Sequence, residues 1–329
     1  MTEPVRWGVL GTASIAVNKV LPAMQTAELS EVVAIASRSP EKGRTVAADL
    51  GIARAYDRYE DLLTDSEVEA VYIPLPNHLH AEWTMAALGE GKHVLCEKPL
   101  ATTSADARAM VAAAEAGGVK LMEAFMYRLH PLWVEVRRMV DEELIGELLA
   151  VQSFFSYRNV DRYNIRNIAE YGGGALFDIG CYPVNLARML FGSEPTDVKG
   201  SIKRLAASGT DVLTSAILDF GGRQATFTCS TLLEDHQRVD VVGTAGRLVV
   251  EIPYNIPPDR PTRILHFAGG DPPVDPSIEV HEIPAADQYA IQADAFSRAV
   301  RDDVEVPTPP ADAVANLEVI ERIFSDSLG

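Results

Sequence analysis

The sequence is short of basic residues, of cysteine and of long apolar runs, and each shortage excludes a class of protein. Lysine and arginine number 29 against 47 acidic residues, which gives a formal net charge of -18. Such an acidic surface argues against nucleic acid and anionic membranes as partners. The three cysteines, at unrelated spacings, suggest neither a disulfide framework nor a zinc motif and predict a reducing, cytoplasmic location. No apolar run in the sequence is long enough to span a membrane, and the first residues read as a strand rather than a signal peptide.

The rest of the composition is that of a two-domain globular protein. The chain has 329 residues, of which 47% are hydrophobic and 23% are charged. Up to residue 123, short apolar runs alternate with helical patterns, which is typical of a doubly wound Rossmann sheet of parallel strands. Beyond it, strands with period-two alternation, such as Ala225, Phe227 and Cys229, indicate an open, mainly antiparallel sheet. The sequence therefore predicts an α/β domain over residues 1–123 and an α+β domain over residues 124–329.

The same patterns predict individual elements of the two domains. Hairpins are expected at Gly221-Gly222 and at Gly243–Gly246, because glycine pairs there separate two alternating runs. The proline-rich stretch 253–284 is expected to be a long loop or an irregular edge. Helices are predicted over residues 105–116, 124–140, 175–191, 287–302 and 312–327.

A relaxed dinucleotide-binding motif follows the first predicted strand. In Gly11-x-Ala13-x-x-Ala16, the glycine makes a tight turn and the small residues let a pyrophosphate and the next helix approach closely. The candidate cofactor-binding residues of this loop are Gly11, Thr12, Ala13, Ser14 and Ile15.

The end of the second strand indicates which cofactor is bound. An Asp or Glu at this point would bond the ribose 2′-hydroxyl of NAD, but the chain has Ser37 and Arg38, with Lys42 one turn further on. A hydroxyl and cations suit a 2′-phosphate, so NADP is predicted over NAD. The alternative is a polar helix start with Ser39 as its N-cap, and both interpretations can hold together.

The next two strands also end in unusual loops. Leu75, Pro76, Asn77 and His80 are candidates for contact with the cofactor, Asn77 or His80 with its ribose or nicotinamide. His78-x-His80 has no third ligand nearby, so no metal site is predicted.

The fourth strand, His93–Cys96, ends in Glu97-Lys98-Pro99. Ligands sit beyond the carboxyl ends of parallel strands, so Glu97 and Lys98 fall where the reactive end of a cofactor would be. The alternative is a surface Glu–Lys pair at a strand end.

A second motif combines a glycine run with an acid and a phenol. Gly172-Gly173-Gly174 precedes a predicted helix in which Asp178 and Tyr182 are four residues apart and share one face. Such a pair is suited to acid–base chemistry, or the two side chains simply hydrogen-bond on an amphipathic helix.

Glu97-Lys98-Pro99 and the run from Gly172 to Tyr182 together resemble the motifs of the glucose–fructose oxidoreductase / inositol dehydrogenase family. The resemblance covers nearly the whole chain. The resemblance implies a nicotinamide cofactor and a substrate held between the domains. It also implies that Lys98, Asp178 and Tyr182 are catalytic. Inositol-type members have histidine at the last position, so Tyr182 favours the aldose branch.

Two further stretches indicate which branch of the family the chain resembles. Residues 122–131 and Asn164-Ile165-Arg166 are similar to aldose dehydrogenases of xylose or glucose type and to dihydrodiol dehydrogenase. We therefore expect Arg128, Tyr163 and Arg166 to bind substrate together with Asp178 and Tyr182. The predicted activity is NADP-dependent hydride transfer at a sugar hydroxyl or carbonyl, with the sugar and the direction left open.

Three alternatives to this activity remain. They are reduction of a nucleotide-linked keto-sugar, reduction of a diketone or dihydrodiol, and a non-catalytic role as a cofactor sensor. The presence of Lys98, Asp178 and Tyr182 together argues against the sensor, because a sensor does not need residues for proton transfer. The uncovered face of the second sheet predicts a homodimer or a dimer of dimers.

Overall fold

A computed structural model of the chain describes residues 3–269 and 278–327. Within them the strands, in chain order, are β1 (Val5–Leu10), β2 (Ser30–Ala36), β3 (Arg54–Tyr56), β4 (Ala70–Ile73), β5 (His93–Cys96), β6 (Leu121–Glu123), β7 (Leu148–Arg158), β8 (Asp197–Arg204), β9 (Asp211–Asp219), β10 (Gln224–Ser230), β11 (Leu232–Gly243), β12 (Gly246–Val250), β13 (Thr262–Ala268) and β14 (Ile278–Ile283).

The α-helices of the same residues are α1 (Leu21–Met24), α2 (Pro40–Asp49), α3 (Tyr59–Leu63), α4 (His80–Gly89), α5 (Ser104–Gly117), α6 (Pro131–Asp141), α7 (Cys181–Phe191), α8 (Gln288–Arg301) and α9 (Ala311–Asp326). Short π-helical turns occupy Ala16–Val20 and Leu176–Gly180. None of the helices described is long and apolar enough to cross a membrane.

The chain divides into two compact units. One contains Met1–Met126 and Asp287–Val314, and the other contains Tyr127–Ala286 and Ala315–Gly329. The first unit therefore takes in α8, although this helix lies more than 160 residues beyond β6 in the sequence.

The first unit is built on a six-stranded parallel sheet. Its strand order is β3-β2-β1-β4-β5-β6, which is the Rossmann order and confirms the predicted fold. The central strands are buried along almost their whole length, as parallel strands covered by helices on both faces must be. Because all six strands run the same way, the loops after β1, β2, β4 and β5 emerge at the same edge of the sheet.

Helix α8 packs into the core of this unit. Phe296 lies against Trp7 of β1 with ring centroids 5.3 Å apart, and both side chains are fully buried. The indole N–H of Trp7 donates a 3.2 Å hydrogen bond to Ser297 Oγ, so the buried polar atom is satisfied. At the end of the helix, the Arg301 guanidinium donates to both carboxylate oxygens of Glu69, at 2.7 Å each.

The second unit contains an eight-stranded sheet in the order β14-β13-β12-β11-β7-β10-β9-β8. Every neighbouring pair is antiparallel except β7 and β10, which run parallel. Both predicted hairpins are present, β9–β10 at Gly221-Gly222 and β11–β12 at Gly243–Gly246.

The strand β10 shows that this sheet has one covered and one open face. Ala225, Phe227 and Cys229 are buried, as their alternation predicts. On the other face Thr226 and Thr228 line a broad groove with residues of β7, β8, β9 and β11. Ile217 in that groove keeps 47% of its surface exposed.

Two predicted elements were wrong. The helix expected over 124–140 begins only at Pro131, because His130 is its N-cap and accepts a hydrogen bond from the amide of Leu132. Residues 253–284, expected to be a long loop or an irregular edge, contain the paired strands β13 and β14 in their described part, while residues 270–277 lie outside the described residues. In β14, Ile278 and Val280 alternate with Glu279 and His281, but Glu282 breaks the alternation and the strand is mostly exposed, so the signal is short.

Candidate active site

The first part of the candidate site is the loop after β1. Gly11 has φ +102°, a conformation that other residues rarely adopt, and its amide donates a 2.7 Å bond to Ala36 O of β2. A side chain at this position would come within 3.0 Å of Leu75. The loop then enters the π-helical turn Ala16–Val20, a feature often found at functional sites.

Two cations flank this loop at the edge of the sheet. Lys42 Nζ donates a 3.1 Å hydrogen bond to Thr12 O, so the lysine reaches from α2 to the loop after β1. Arg38 is exposed and lies near Tyr59, whose pKa is raised by burial and lowered in smaller part by Arg38. Ser37 is buried, and its hydroxyl accepts the amide of Ser39. The geometry therefore offers two positive side chains to an anion, while the hydroxyl of Ser37 shapes the turn.

The loop after β4 is tied to the loop after β5 by a buried histidine. His80 is fully buried, with Nδ1 2.7 Å from Pro99 O and Nε2 2.7 Å from Leu75 O. Burial lowers the pKa of His80 to about 4, so the imidazole is neutral and donates to one of the two carbonyls. Both ring nitrogens face main-chain oxygens, so His80 holds the two loops together rather than offering an atom to a cofactor. Asn77, half-buried in the same loop, is the remaining polar candidate.

The loop after β5 presents the Glu97-Lys98-Pro99 motif. The buried hydroxyl of Tyr72 donates a 2.8 Å bond to Glu97 Oε1, and the amide of Lys98 lies 3.3 Å from Glu97 Oε2. Burial raises the pKa of Tyr72 well above its usual range, and the charge of Glu97 adds to the effect. Tyr72 therefore remains a neutral donor, and Glu97 fixes the main chain from which the half-buried Lys98 extends.

In the second unit, the buried carboxylate of Asp178 is held from two sides. Arg166 Nε lies 2.9 Å from Asp178 Oδ1, and the hydroxyl of Tyr157 donates to Oδ2. The charge of Asp178 raises the pKa of Arg166, while burial and then Asp178 raise the pKa of Tyr157. Arg166 is therefore a permanent cation and Tyr157 a neutral donor, and each of them occupies one oxygen of Asp178.

Tyr157 was not identified from the sequence. It lies on β7, on the same face as the buried residues Val151, Ser153 and Phe155. A phenol at the end of a largely buried strand face is the signal that could have identified it, since a buried hydroxyl needs a partner.

The glycine run positions Arg166. The amide of Gly174 donates a 2.9 Å bond to Arg166 O, and the amide of Gly173 donates a 3.1 Å bond to Ile168 O. A Cβ on Gly173 would stand 2.6 Å from Arg166 O, so only glycine permits this approach. On the other side, buried Asp211 accepts the amide of Leu176 at 2.7 Å and caps the turn in which Asp178 lies.

Tyr182 sits in an aromatic wall. Its ring lies 5.1 Å from that of Tyr254, 5.7 Å from Phe155 and 5.8 Å from Tyr127, and 6% of the residue is exposed. Tyr182 also contributes to the raised pKa of Arg166, after Asp178 and Tyr157. The structure therefore brings Tyr157, Arg166, Asp178 and Tyr182 into one cluster of the second unit.

The two other predicted substrate residues differ in their surroundings. Arg128 Nη1 lies 3.4 Å from the side-chain oxygen of buried Asn185, which also accepts the hydroxyl of Tyr127 at 2.7 Å. Tyr163 is 75% exposed, and its hydroxyl accepts a bond from Arg162 at 2.6 Å. The structure does not bring Tyr163 into the Asp178 cluster.

Comparison with known proteins places the chain in a family. Residues 5–125 match the oxidoreductase family with an NAD-binding Rossmann fold, and residues 133–249 match the GFO/IDH/MocA C-terminal domain. The chain belongs to this family, which confirms the resemblance drawn from the two motifs.

Two relatives and one solved structure are similar to this chain over almost its whole length. An uncharacterized oxidoreductase of Rhizobium meliloti, ORF334, is 42% identical over 97% of this chain and 96% of its own. D-xylose 1-dehydrogenase (NADP(+)) 2 of Haloferax volcanii is 36% identical over 98% and 97%. The crystal structure of KijD10, a 3-ketoreductase from Actinomadura kijaniata in complex with NADP and TDP-benzene, has a TM-score of 0.92 and 32% identity, with 98% of each chain covered. Variants of KijD10 with one tyrosine changed to phenylalanine, and with one lysine changed to alanine or glutamate, have also been crystallised.

Proposed function

We propose that this protein is an NADP-dependent oxidoreductase that transfers a hydride between the nicotinamide and a carbon of an aldose such as xylose or glucose. The observation that carries the proposal is the Asp178 cluster: a buried carboxylate held by Arg166 and Tyr157, one turn before a phenol. Carboxylates and arginine side chains bond sugar hydroxyls, and an aromatic wall suits the apolar face of a sugar ring. The NADP-dependent xylose dehydrogenase among the relatives supports the same substrate class.

The choice of NADP rests on the edge of the first sheet. Arg38 and Lys42 stand where an acidic residue would repel a 2′-phosphate, and the contact of Lys42 with Thr12 O holds the lysine beside the cofactor loop. NADP is the cofactor in the structure of KijD10 and in the name of the xylose dehydrogenase. Gly11 to Ile15 are proposed to cradle the pyrophosphate, and Leu75, Pro76, Asn77 and Glu97 to line the nicotinamide end.

The proposed roles of the catalytic residues follow from the chemistry. When bound, NADP⁺ accepts the hydride, so the oxygen on the same sugar carbon must lose a proton. Tyr182, in its phenolate form, is proposed to take that proton and become the neutral phenol, while Lys98 favours the phenolate and stabilises the negative charge that develops on the sugar oxygen. Asp178 and Arg166 orient the sugar through its hydroxyls. The lysine and the tyrosine replaced in the KijD10 variants are as far apart along that chain as Lys98 and Tyr182 are along this one, which supports the pairing.

A second candidate activity is reduction of a nucleotide-linked keto-sugar. KijD10 is a 3-ketoreductase and was crystallised with TDP-benzene, so this substrate class is represented among the neighbours. An aldose dehydrogenase will be active with NADP⁺ and a sugar that carries no nucleotide, whereas the second activity requires a nucleotide attached to the sugar.

The test is a substrate scan followed by calorimetry. Free aldoses with NADP⁺, and nucleotide-linked keto-sugars with NADPH, are compared by the absorbance of the reduced cofactor. We expect turnover with a free aldose, and turnover only with nucleotide-linked sugars would replace this proposal by the second candidate. Calorimetry should show NADP⁺ bound more tightly than NAD⁺, and Arg38→Ala should weaken NADP⁺ binding by about ten- to hundredfold, the value of one charge-assisted phosphate contact. Equal affinity of the wild type for both cofactors contradicts the NADP assignment.

We also propose that the open face of the second sheet forms a homodimer or a dimer of dimers. The support is the groove lined by Thr226, Thr228 and the half-exposed Ile217, which no element of the described chain covers. The cytoplasmic location stays a prediction.

A further inference from the structure

A cluster of two histidines and a glutamate lies on one face of the last hairpin. His266 on β13 is directly opposite Glu279 on β14, and His281 follows two residues later on the same face of β14. The three side chains each offer one ligand atom, and these atoms all lie within 4.8 Å of one another. None of the three residues takes part in the proposed hydride transfer.

The histidine at the centre of the cluster lacks the partners that a buried imidazole normally has. The side chain of His266 is only 7% exposed, yet within the described residues neither of its ring nitrogens has a hydrogen-bond partner. Nε2 of His281 is also buried and has no hydrogen-bond partner within the described residues. Leaving a buried polar group without a bond costs about 1–3 kcal/mol, so such an arrangement normally has a compensating interaction.

The distances are unsuitable for hydrogen bonds and suitable for a shared cation. His266 Nδ1 lies 3.5 Å from Glu279 Oε2, and His281 Nε2 lies 3.6 Å from Glu279 Oε1. Both distances exceed the usual N–H···O range. Ligands about 2.0–2.1 Å from a tetrahedral Zn²⁺ are separated from one another by about 3.3 Å. The two contacts, made to different oxygens of Glu279, are close to that separation, and the three ligand atoms, all within 4.8 Å of one another, would have to draw together around the ion.

We propose that His266, Glu279 and His281 bind a divalent transition-metal ion of the Zn²⁺ class. Imidazole nitrogen and carboxylate oxygen are its common ligands, and two histidines with one glutamate form a known zinc ligand set. Glu279 is 67% exposed and His281 23%, so the ion can enter from solvent and a water can complete the coordination. The ion clamps the edge strand β14 to β13.

A neighbouring carboxylate belongs to a different interaction. The pKa of Glu135 on α6 is lowered first by hydrogen bonds from Arg138 and in smaller part by its nearness to the imidazole of His281. Both oxygens of Glu135 already accept bonds from Arg138, at 2.8 and 2.6 Å. Glu135 therefore adds negative charge near the site without being counted as a ligand.

The proposal is tested by metal titration of the full-length protein, purified without a histidine tag and stripped with a chelator. Calorimetry with Zn²⁺ should give one ion per chain, and Co²⁺ should give the visible absorption of a tetrahedral nitrogen–oxygen site. Zn²⁺ should also raise the melting temperature, and the chelator should reverse the rise.

Three variants and one control assign the site. Glu279→Gln, His281→Ala and His266→Gln should each weaken Zn²⁺ binding by about tenfold or more, since loss even of a group behind a ligand costs about 10–100-fold. Glu282→Gln is the control, because Glu282 is exposed on the same strand but points to the opposite face. If His266→Gln fails to fold, the variants at the more accessible residues Glu279 and His281 test the proposal. No binding of Zn²⁺ by the wild type at micromolar concentration, or equal binding by the wild type, Glu279→Gln and His281→Ala, overturns the proposal.

Discussion

The substitution Gly173→Ala tests whether the glycine run serves to position Arg166. The added methyl group would stand 2.6 Å from Arg166 O and 2.7 Å from Ile168 O, whereas real contacts of this kind are at least 3.0 Å long. The main chain of Arg166 must therefore shift by about 0.4 Å or more, and the opposing atoms are backbone that cannot rotate away. Overpacking of this kind costs about 1–3 kcal/mol of folding free energy, so the variant should fold with a lower melting temperature.

The shift acts on the guanidinium that holds Asp178. A misplacement of about 1 Å at a catalytic group can cost about a hundredfold, so we expect kcat/KM for the sugar to fall by about tenfold or more. The affinity for NADP⁺, measured by calorimetry, should stay within a factor of two or so of the wild type, because the proposed cofactor residues lie in the other unit. The assay is steady-state formation of NADPH with the sugar that the scan identifies.

Gly89→Ala is the matched control for this experiment. Gly89 has no heavy atom within 4 Å of the position of an added Cβ, so the same chemical change meets open space. The control should keep wild-type kcat/KM. A folded Gly173→Ala variant with wild-type kcat/KM would show that the position of Arg166 does not matter for the sugar and would refute the role given to the glycine run.

Two further predictions concern stability and assembly. Hydrogen bonds from Arg301 lower the pKa of Glu69 from 4.5 to about 2, so the native state favours the ionised acid, and the stabilisation is complete above pH 4.5 and lost as the pH falls towards 2. After allowance for solvent screening this contributes about 1–2 kcal/mol; Glu69→Gln should flatten the denaturation free energy between these pH values, and an unchanged pH dependence would show that Glu69 is not the titrating group. Light scattering should give a dimer or a dimer of dimers at micromolar concentration, and Ile217→Arg in the open groove should lower that mass, whereas a monomeric wild type refutes the assembly.

The parallel sheet of the first unit could be predicted because each of its strands is marked by a pattern within its own stretch of sequence. Each is a short buried apolar run followed by a loop rich in turn residues, and strand order follows from the fold class that this alternation defines. The return of α8 to this unit could not be predicted in the same way. Its contact depends on Phe296 meeting Trp7, which is 289 positions earlier in the sequence, and no local pattern encodes such a pairing.

Prediction of the site was limited by contacts of the same long-range kind. Spacing along one helix identified Asp178 and Tyr182, but the partner Tyr157 comes from a strand on the other side of the glycine run. Three consecutive glycines leave room for another part of the chain to approach closely, but they do not indicate which part. What approaches them is the main chain of Arg166 and the side chain of Asp211, which only the folded chain shows. The π-helical turn that contains Asp178 likewise has no sequence signal of its own.

The most direct test of the proposed function is the turnover number of Tyr182→Phe at saturating sugar and NADP⁺, followed by the absorbance of NADPH. General acid–base catalysis contributes about 10²–10⁴-fold, so kcat should fall by that order while NADP⁺ affinity stays nearly unchanged. Lys98→Met should lower kcat at least as much, because it removes the charge that stabilises the sugar oxygen in the transition state. Near wild-type turnover in both folded variants would contradict the assignment of proton transfer to this pair.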